Sequence, residues 1–128
     1  MQYAKRIISV VSMAALFGLS HAALAADAPA KAADGILVNA TGMTLYIFDK
    51  DPANGGKSVC NGQCAALWPA LPAASDATPA GAYSIITRDD GAKQWAYKGR
   101  PLYLWVKDQN PGDKTGDGVL GVWHVVKE

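Results

Sequence analysis

Two cysteines and one of the two histidines carry the most reactive side chains of this 128-residue chain outside its first 25 residues. Cys60 and Cys64 are four positions apart, a spacing that suits either a small disulfide loop or a pair of thiolate ligands. Because the N-terminus predicts export to a compartment that oxidises thiols, a structural disulfide is the default interpretation. A loop this small is expected to stabilise the fold by only about 2 kcal/mol, so its main effect is on local shape.

The same cysteines allow a second interpretation, a periplasmic copper-binding or thiol-redox site. Two thiolates and one imidazole form a soft ligand set that suits Cu(I), and His124 would supply the imidazole. His124 lies in an apolar terminal segment, where a hydrogen-bonded structural role is more usual for a single histidine. The sequence therefore favours a protein without a cofactor and keeps copper as the alternative.

A third hypothesis concerns calcium and a loop rich in oxygen donors and glycine. The candidate ligands are Asp108, Asn110, Asp113 and Asp117. The loop does not fit an EF-hand, because Val119 stands at the twelfth position, where that motif needs a bidentate glutamate. A solvated turn is the favoured interpretation, with a calcium-stabilised module as the second alternative.

No pattern typical of an enzyme is present. Ser58, Ser75 and Ser84 lack the Gly-x-Ser-x-Gly surroundings of a nucleophile, and the glycines do not form a phosphate-binding loop. The sequence therefore predicts a non-catalytic protein.

One pattern occurs twice and indicates how the domain is built. Each copy reads Tyr, one residue, an aromatic residue, two residues, then Asp. Its members are Tyr46, Phe48 and Asp51 in the first copy, and Tyr103, Trp105 and Asp108 in the second. Internal repetition predicts one structural unit used twice, neither copy able to bury its apolar face alone. The aspartates follow predicted strands, where a carboxylate can accept hydrogen bonds from turn amides.

Short apolar runs separated by Gly, Pro, Asn and Asp turns predict antiparallel strands. The runs are 36–38, 45–48, 83–87, 94–97, 102–106 and 119–126. The predicted fold is a small all-β sandwich or barrel-like domain of two pseudo-repeats, with cores at 44–71 and 101–126. At most one short helical turn is expected, at 63–68, because Pro69 ends it. The runs at 45–48 and 102–106 are apolar on both faces, which predicts the centre of the core.

The N-terminus has the features of a cleavable secretory signal peptide. Lys5 and Arg6 precede an apolar run at 7–19, and small residues at 23–25 mark the cleavage site. The run is too short and too interrupted for a membrane anchor. The predicted organisation is a signal peptide at 1–25, a flexible leader at 26–35 and one domain at 36–128, located in the periplasm or secreted.

Charge limits the class of partner. The formal net charge is +1, and removal of Lys5 and Arg6 leaves a nearly neutral chain without a concentrated basic face. Nucleic-acid binding depends on such a face, so nucleic acid is not an expected partner. A monomer that binds a small ligand or another envelope protein is the expectation. Trp95 and Tyr97 are the possible ligand contacts, on a hairpin that also carries Lys93, Lys98 and Arg100.

The doubled Tyr-x-aromatic-x-x-Asp motif, the segment 60–69 and the closing segment 115–123 resemble a family of secreted-repeat proteins defined by that motif. The resemblance extends from about Ile36 to Val126. It implies the repeat fold and export, and it implies no particular activity. Several members are lipoproteins, whereas this chain has no cysteine at the predicted cleavage site. A membrane anchor is therefore not expected in the mature form.

Overall fold

The computed structural model describes residues 28–128, so the predicted signal peptide at 1–25 lies outside the described residues. The described strands are short. They are β1 (Lys31–Ala33), β2 (Ile36–Val38), β3 (Tyr46–Phe48), β4 (Tyr83–Thr87), β5 (Lys93–Tyr97), β6 (Arg100–Pro101) and β7 (Trp123–Val125). They are accompanied by one helix, α1 (Gln63–Leu67), and a 3₁₀ turn at Val119–Gly121.

The strands form three small antiparallel sheets. β1 pairs with β2, β3 pairs with β7, and β4, β5 and β6 form a three-stranded sheet. The pairing of β3 with β7 joins the first repeat to the second, so this sheet requires both repeats. The predicted all-β class built from two pseudo-repeats is confirmed.

The two copies of the repeated motif meet backbone to backbone at their tyrosines. The Tyr46 amide donates to the Tyr103 carbonyl at 2.8 Å, and the Tyr103 amide donates to the Tyr46 carbonyl at 2.9 Å. The surrounding bonds are also duplicated. The Leu45 amide donates to the Leu37 carbonyl at 3.0 Å, just as the Leu102 amide donates to the Trp95 carbonyl at 2.9 Å. The repeats are therefore equivalent in their hydrogen bonding as well as in sequence.

Side-chain alternation along these central segments divides the core into two clusters. The aromatic cluster consists of Tyr46, Phe48, Cys60, Trp68, Tyr103, Trp105 and Trp123. The aliphatic cluster consists of Ala30, Leu37, Leu45, Leu71, Leu102 and Val126. Both repeats contribute to each cluster, so each half covers the apolar face of the other.

The end of the predicted flexible leader is part of the fold. Lys31–Ala33 form β1, which pairs with β2, and Ala30 is buried in the aliphatic cluster. The prediction failed because it considered only the lack of bulky side chains. Backbone pairing needs none, and here β1 itself is exposed while its hydrogen bonds are made with β2.

Two predicted strands differ from the observed elements. Residues 102–106 do not form a continuous strand, because Tyr103 makes isolated bridges to Tyr46 and Ala70, and the Leu104 amide donates to the carbonyl of Pro69. Proline has no amide proton, so the ladder cannot continue regularly on that side. Residues 119–126 begin with the 3₁₀ turn, and only Trp123–Val125 is a strand.

Candidate functional site

The cysteine pair forms a disulfide at the entrance to α1. Cys60 and Cys64 have Cα atoms 5.2 Å apart, and no free cysteine remains in the described chain. Cys60 is fully buried in the aromatic cluster, whereas Cys64 is partly buried against it. The disulfide thus fixes the chain immediately before Trp68, the largest residue contributed by this segment.

His124 lies away from the disulfide. Its Nε2 is 2.7 Å from Oδ2 of Asp49, with both side chains about half exposed. The adjacent Trp123 packs with Cys60 in the aromatic cluster, and alternation along β7 turns His124 to the opposite face. Within residues 28–128, no three His, Cys, Asp or Glu side chains are grouped closely enough to hold a metal ion. The structure does not bring Cys60, Cys64 and His124 together.

The carboxylates considered for calcium cap backbone amides instead. Asp113 Oδ2 accepts from the amides of Gln109 and Asn110 at 3.0 and 2.9 Å. Both bonds lower the pKa of Asp113, and the bond from Asn110 contributes more. Asp117 Oδ1 accepts from the Val125 amide at 3.1 Å. Asn110 therefore contributes its backbone rather than a side-chain oxygen, and Asp113 and Asp117 serve different turns.

The repeated motif forms two crossed hydrogen bonds. The Tyr46 hydroxyl donates to Asp108 Oδ2 at 2.6 Å, and the Tyr103 hydroxyl donates to Asp51 Oδ2 at 2.5 Å. Each tyrosine therefore binds the aspartate of the other repeat, and all four residues are buried. Burial, reinforced by the hydrogen bond to the carboxylate, raises the pKa of both tyrosines. The two hydroxyls stay protonated and remain donors.

The second oxygen of each aspartate caps a turn in its own repeat. Asp51 Oδ1 accepts from the Val59 amide at 2.7 Å, and Asp108 Oδ1 accepts from the amide and hydroxyl of Thr115 at 3.0 and 2.6 Å. Burial raises the pKa of Asp51, although the bonds from Tyr103 and Val59 oppose that shift. Each carboxylate thus links a turn in its own repeat to the tyrosine of the other.

A buried arginine supports only one of the two pairs. Arg88 Nη1 donates to Ser58 Oγ at 3.0 Å and to Gln94 Oε1 at 2.7 Å, and Nη2 donates to the carbonyl of Cys60. Ser58 Oγ in turn lies 2.5 Å from the Tyr103 hydroxyl. The sequence did not reveal this network, because Arg88 follows an ordinary strand. The only signal was Gln94, a polar residue at an inward-facing strand position.

Four rings of the aromatic cluster are stacked in series. Phe48 stacks on Trp123 with centroids 4.2 Å apart, Trp123 on Trp68 at 3.8 Å, and Trp68 on Trp105 at 3.9 Å. The end rings, Phe48 and Trp105, are each 9% exposed, and the two inner indoles are more deeply buried. Gly116 is required beside this stack, because a Cβ at that position would lie 2.8 Å from the Trp68 ring.

The predicted ligand contacts lie on the same face of β5, in the hairpin formed by β4 and β5. Trp95 and Tyr97 are both partly buried and pack against the aliphatic cluster. Tyr97 also borders an open cavity of about 220 Å³, here called the basic groove. The basic groove is lined by Ile47, Tyr97, Lys98, Arg100, Val126 and Lys127. Trp95 is not among its lining residues.

A tight turn places two cations at this groove. Tyr97 pairs with Arg100 across the hairpin of β5 and β6, and the two residues between them, Lys98 and Gly99, both have positive φ, 48° and 78°. Two positive φ values are typical of a type I′ turn, which matches the twist of the flanking strands. Gly99 also lies against Asn54, whose side chain would collide with a Cβ there.

The groove cations are free of ion pairs within residues 28–128, where the sole ion pair is the one between His124 and Asp49. Lys98, Arg100 and Lys127 therefore present positive charge around a floor of Ile47 and Val126. The Lys98 ammonium lies 5.2 Å from the centroid of the neighbouring Tyr97 ring. This arrangement suits a negatively charged group attached to an apolar or aromatic body.

A second cavity, of about 310 Å³, is less uniform in charge. It is lined by Lys31, Ala33, Asp34, Ile36, Val38, Gly42, Pro111, Gly112 and Lys114. Asp34 lines this cavity together with its two lysines. The second cavity therefore presents less positive charge to an anion than the basic groove does.

Comparison with known proteins identifies a family for this chain. No described helix is both long and apolar enough to cross a membrane. Neither the curated proteins nor the solved structures contain a match to this chain. The family described as "secreted repeat of unknown function" matches residues 28–72 and 84–127, once for each half. Those two segments contain both copies of the crossed tyrosine and aspartate motif, and the chain belongs to this secreted-repeat family, Lipoprotein_15.

Proposed function

We propose that this protein is a non-catalytic periplasmic binding module that takes an anionic ligand with an apolar or aromatic body in the basic groove. The observation that carries the proposal is the position of Lys98, Arg100 and Lys127 around the apolar floor of Ile47 and Val126. An opposite charge is attracted to such a site, and the floor removes apolar ligand surface from water.

The size of the groove limits the ligand. At about 220 Å³ it is smaller than the ~300 to 1,000 Å³ typical of sites for drug-sized molecules. It therefore accommodates a single ring or a head group rather than a whole large ligand. Lys98 and Lys127 are exposed and Arg100 is partly buried, so binding should weaken as salt screens their charge.

The buried polar network is less suited to be the working site. Ser58, Tyr103 and Asp51 are each at most 3% exposed, and their hydrogen bonds are satisfied within the core. A substrate would have to open the core to reach them. The basic groove is already open, which favours reversible binding there.

The test uses two probes that differ in charge. Anilinonaphthalene sulfonate carries an aromatic body and a sulfonate, and phenylnaphthylamine has a similar body without the charge. We expect the sulfonate to bind more tightly by fluorescence titration, and Arg100→Gln with Lys127→Gln to weaken its binding several-fold. Lys31→Gln with Lys114→Gln, in the second cavity, is the matched control and should have little effect.

Two results would contradict the proposal. The first is equal binding of the charged and neutral probes, which would indicate a purely apolar site. The second is an equal loss of sulfonate binding in the groove and control variants, which would indicate non-specific attraction by surface lysines.

The proposed location has its own test. The signal-like N-terminus supports export, with cleavage expected before Ala26 or Asp27. Intact-mass measurement of protein from a periplasmic extract should give a chain beginning at one of these residues. A full-length chain retained in the cytoplasm would contradict the periplasmic assignment.

A further inference from the structure

The indoles of the aromatic cluster form a continuous contact from the surface into the core. Trp105 is 9% exposed and stacks on Trp68 at 3.9 Å, and Trp68 stacks on Trp123 at 3.8 Å with the two planes only 3° apart. Indole is among the most easily oxidised side chains. Overlapping parallel rings at this separation are well placed to exchange an electron.

Each inner indole also contacts a tyrosine that is already paired with a proton acceptor. The Tyr46 ring meets Trp68 edge-on at 5.4 Å, and the Tyr103 ring meets Trp123 edge-on at 5.1 Å. A phenol that loses an electron becomes strongly acidic and must release its proton. Asp108 and Asp51 accept hydrogen bonds from these hydroxyls at 2.6 and 2.5 Å, within reach for direct proton transfer.

We propose that Trp105, Trp68 and Trp123 form a one-electron relay that carries an oxidising equivalent from the surface to Tyr46 and Tyr103. An outer-sphere one-electron oxidant takes one electron from Trp105 and is itself reduced. Electrons then move outward along the stack, so the positive charge moves inward. Finally a tyrosine gives one electron to the adjacent indole and its proton to the paired aspartate.

The products balance for either tyrosine. Each event leaves a neutral phenoxyl radical, a protonated carboxyl group, restored indoles and one equivalent of reduced oxidant. Burial raises the pKa of Asp51, which makes its carboxylate a stronger acceptor for the proton. No solvent molecule is required at the buried end.

The surroundings of Trp105 favour inward transfer. Its Nε1 is buried and has no hydrogen-bond partner within residues 28–128, so its oxidised indole has no protein acceptor for the ring proton. Loss of that proton would trap the radical at the surface. In addition, the Lys107 ammonium lies 5.7 Å from the ring centroid and disfavours positive charge there. Both features direct the charge toward Trp68.

The experiment uses flash-generated ruthenium(III) tris-bipyridine as the oxidant and follows indole and phenoxyl radicals by transient absorption and electron paramagnetic resonance. The background protein carries Tyr3→Phe, Tyr83→Phe and Tyr97→Phe, which leaves Tyr46 and Tyr103 as its two tyrosines. Both are fully buried, so a bulky oxidant cannot reach them directly. We expect a phenoxyl signal that follows the decay of an indole signal.

Substitutions in the stack and outside it separate the relay from ordinary packing. Trp105→Phe should reduce the rate of phenoxyl formation several-fold, whereas Trp95→Phe removes the one tryptophan outside the stack and should not. Asp51→Asn should lower the Tyr103 radical and prolong the indole radical. If that variant does not fold, slower phenoxyl formation in deuterated solvent tests the same proton transfer in the background protein.

The relay is overturned if the background protein gives no phenoxyl radical, or if Trp105→Phe and Trp95→Phe have the same effect. A normal phenoxyl yield in folded Asp51→Asn and Asp108→Asn proteins would also overturn it. Because no groove ligand is present, these outcomes are independent of the proposed binding function.

Discussion

At the Tyr103 end of the core, Asp51 belongs to a closed network that includes Ser58 and Arg88 and lies beside the disulfide. At the Tyr46 end, Asp108 is held by Thr115, and the Tyr46 hydroxyl accepts the Gly116 amide at 3.2 Å. The tyrosine and aspartate bonds are nearly the same length at both ends. Their supports are different.

This difference separates what the repeat requires from what each half has added. The crossed bonds and the duplicated backbone bonds use residues that both copies possess. The arginine and the disulfide occur at one end alone and have no counterparts at the other. We therefore expect substitutions in the shared motif to have matched effects, and substitutions in the supports to affect the Tyr103 end selectively.

The largest effect is expected from truncating the two central tyrosines. Tyr46→Ala and Tyr103→Ala each remove a fully buried ring and leave a carboxylate without its donor, so each should lower the free energy of unfolding by about 3 to 5 kcal/mol. Urea unfolding measures both. Similar losses would support equivalence of the repeats, and a nearly neutral result at either site would rule out the crossed-pair arrangement as a stabilising feature.

The next effect should distinguish the two ends. Arg88→Met keeps a long apolar side chain but leaves Ser58, Gln94 and the Cys60 carbonyl without their buried donor. We expect a loss of about 3 kcal/mol, since an unsatisfied buried polar group costs about 1 to 3 kcal/mol. Lys57→Met, an exposed cation next to Ser58, is the control and should change stability little. Equal effects would show that Arg88 is not structurally important.

Loss of the disulfide should have a smaller effect. Cys60→Ser with Cys64→Ser should lower the free energy of unfolding by about 2 kcal/mol, because the bridge closes a small loop. The Tyr46 end of the core is folded without such a bridge, so the double variant should still fold. Intact mass with thiol alkylation establishes the oxidised state of the wild type beforehand. Complete unfolding of the double variant would contradict this local role.

The smallest effect is expected at His124. Its contact with Asp49 is between half-exposed side chains, and exposed pairs of this kind contribute about 0 to 1 kcal/mol. His124→Ala should therefore change stability by less than about 1 kcal/mol, and Asp49→Asn should behave similarly. A loss as large as that of Arg88→Met would show that the pair has a structural role the geometry does not indicate.

The sequence predicted what depends on local pattern. Alternation placed Tyr46 and Phe48 on one face and Leu45 on the other, and those residues occupy the aromatic and aliphatic clusters respectively. Proline and glycine positions gave the turns, and Pro69 marked the end of the short helix. These features depend on residues close together in the chain.

Features that depend on distant residues could not be predicted in the same way. The motif showed that Tyr46 and Asp51 belong to one repeat, yet Tyr46 binds Asp108, because antiparallel pairing of the central segments brings opposite repeats together. The burial of Arg88 and the contribution of Lys127 to the groove arise in the same way. No spacing in a single chain records such contacts.

The crossed pairing of tyrosine and aspartate is the central claim, and double-mutant cycles test it directly. Tyr46→Phe combined with Asp108→Asn should show a coupling energy of about 0.5 to 3 kcal/mol, since these side chains are in contact. Tyr46→Phe combined with Asp51→Asn, in the same repeat, should be additive within about 0.5 kcal/mol. The reverse result, coupling within the repeat and additivity between repeats, would contradict the account.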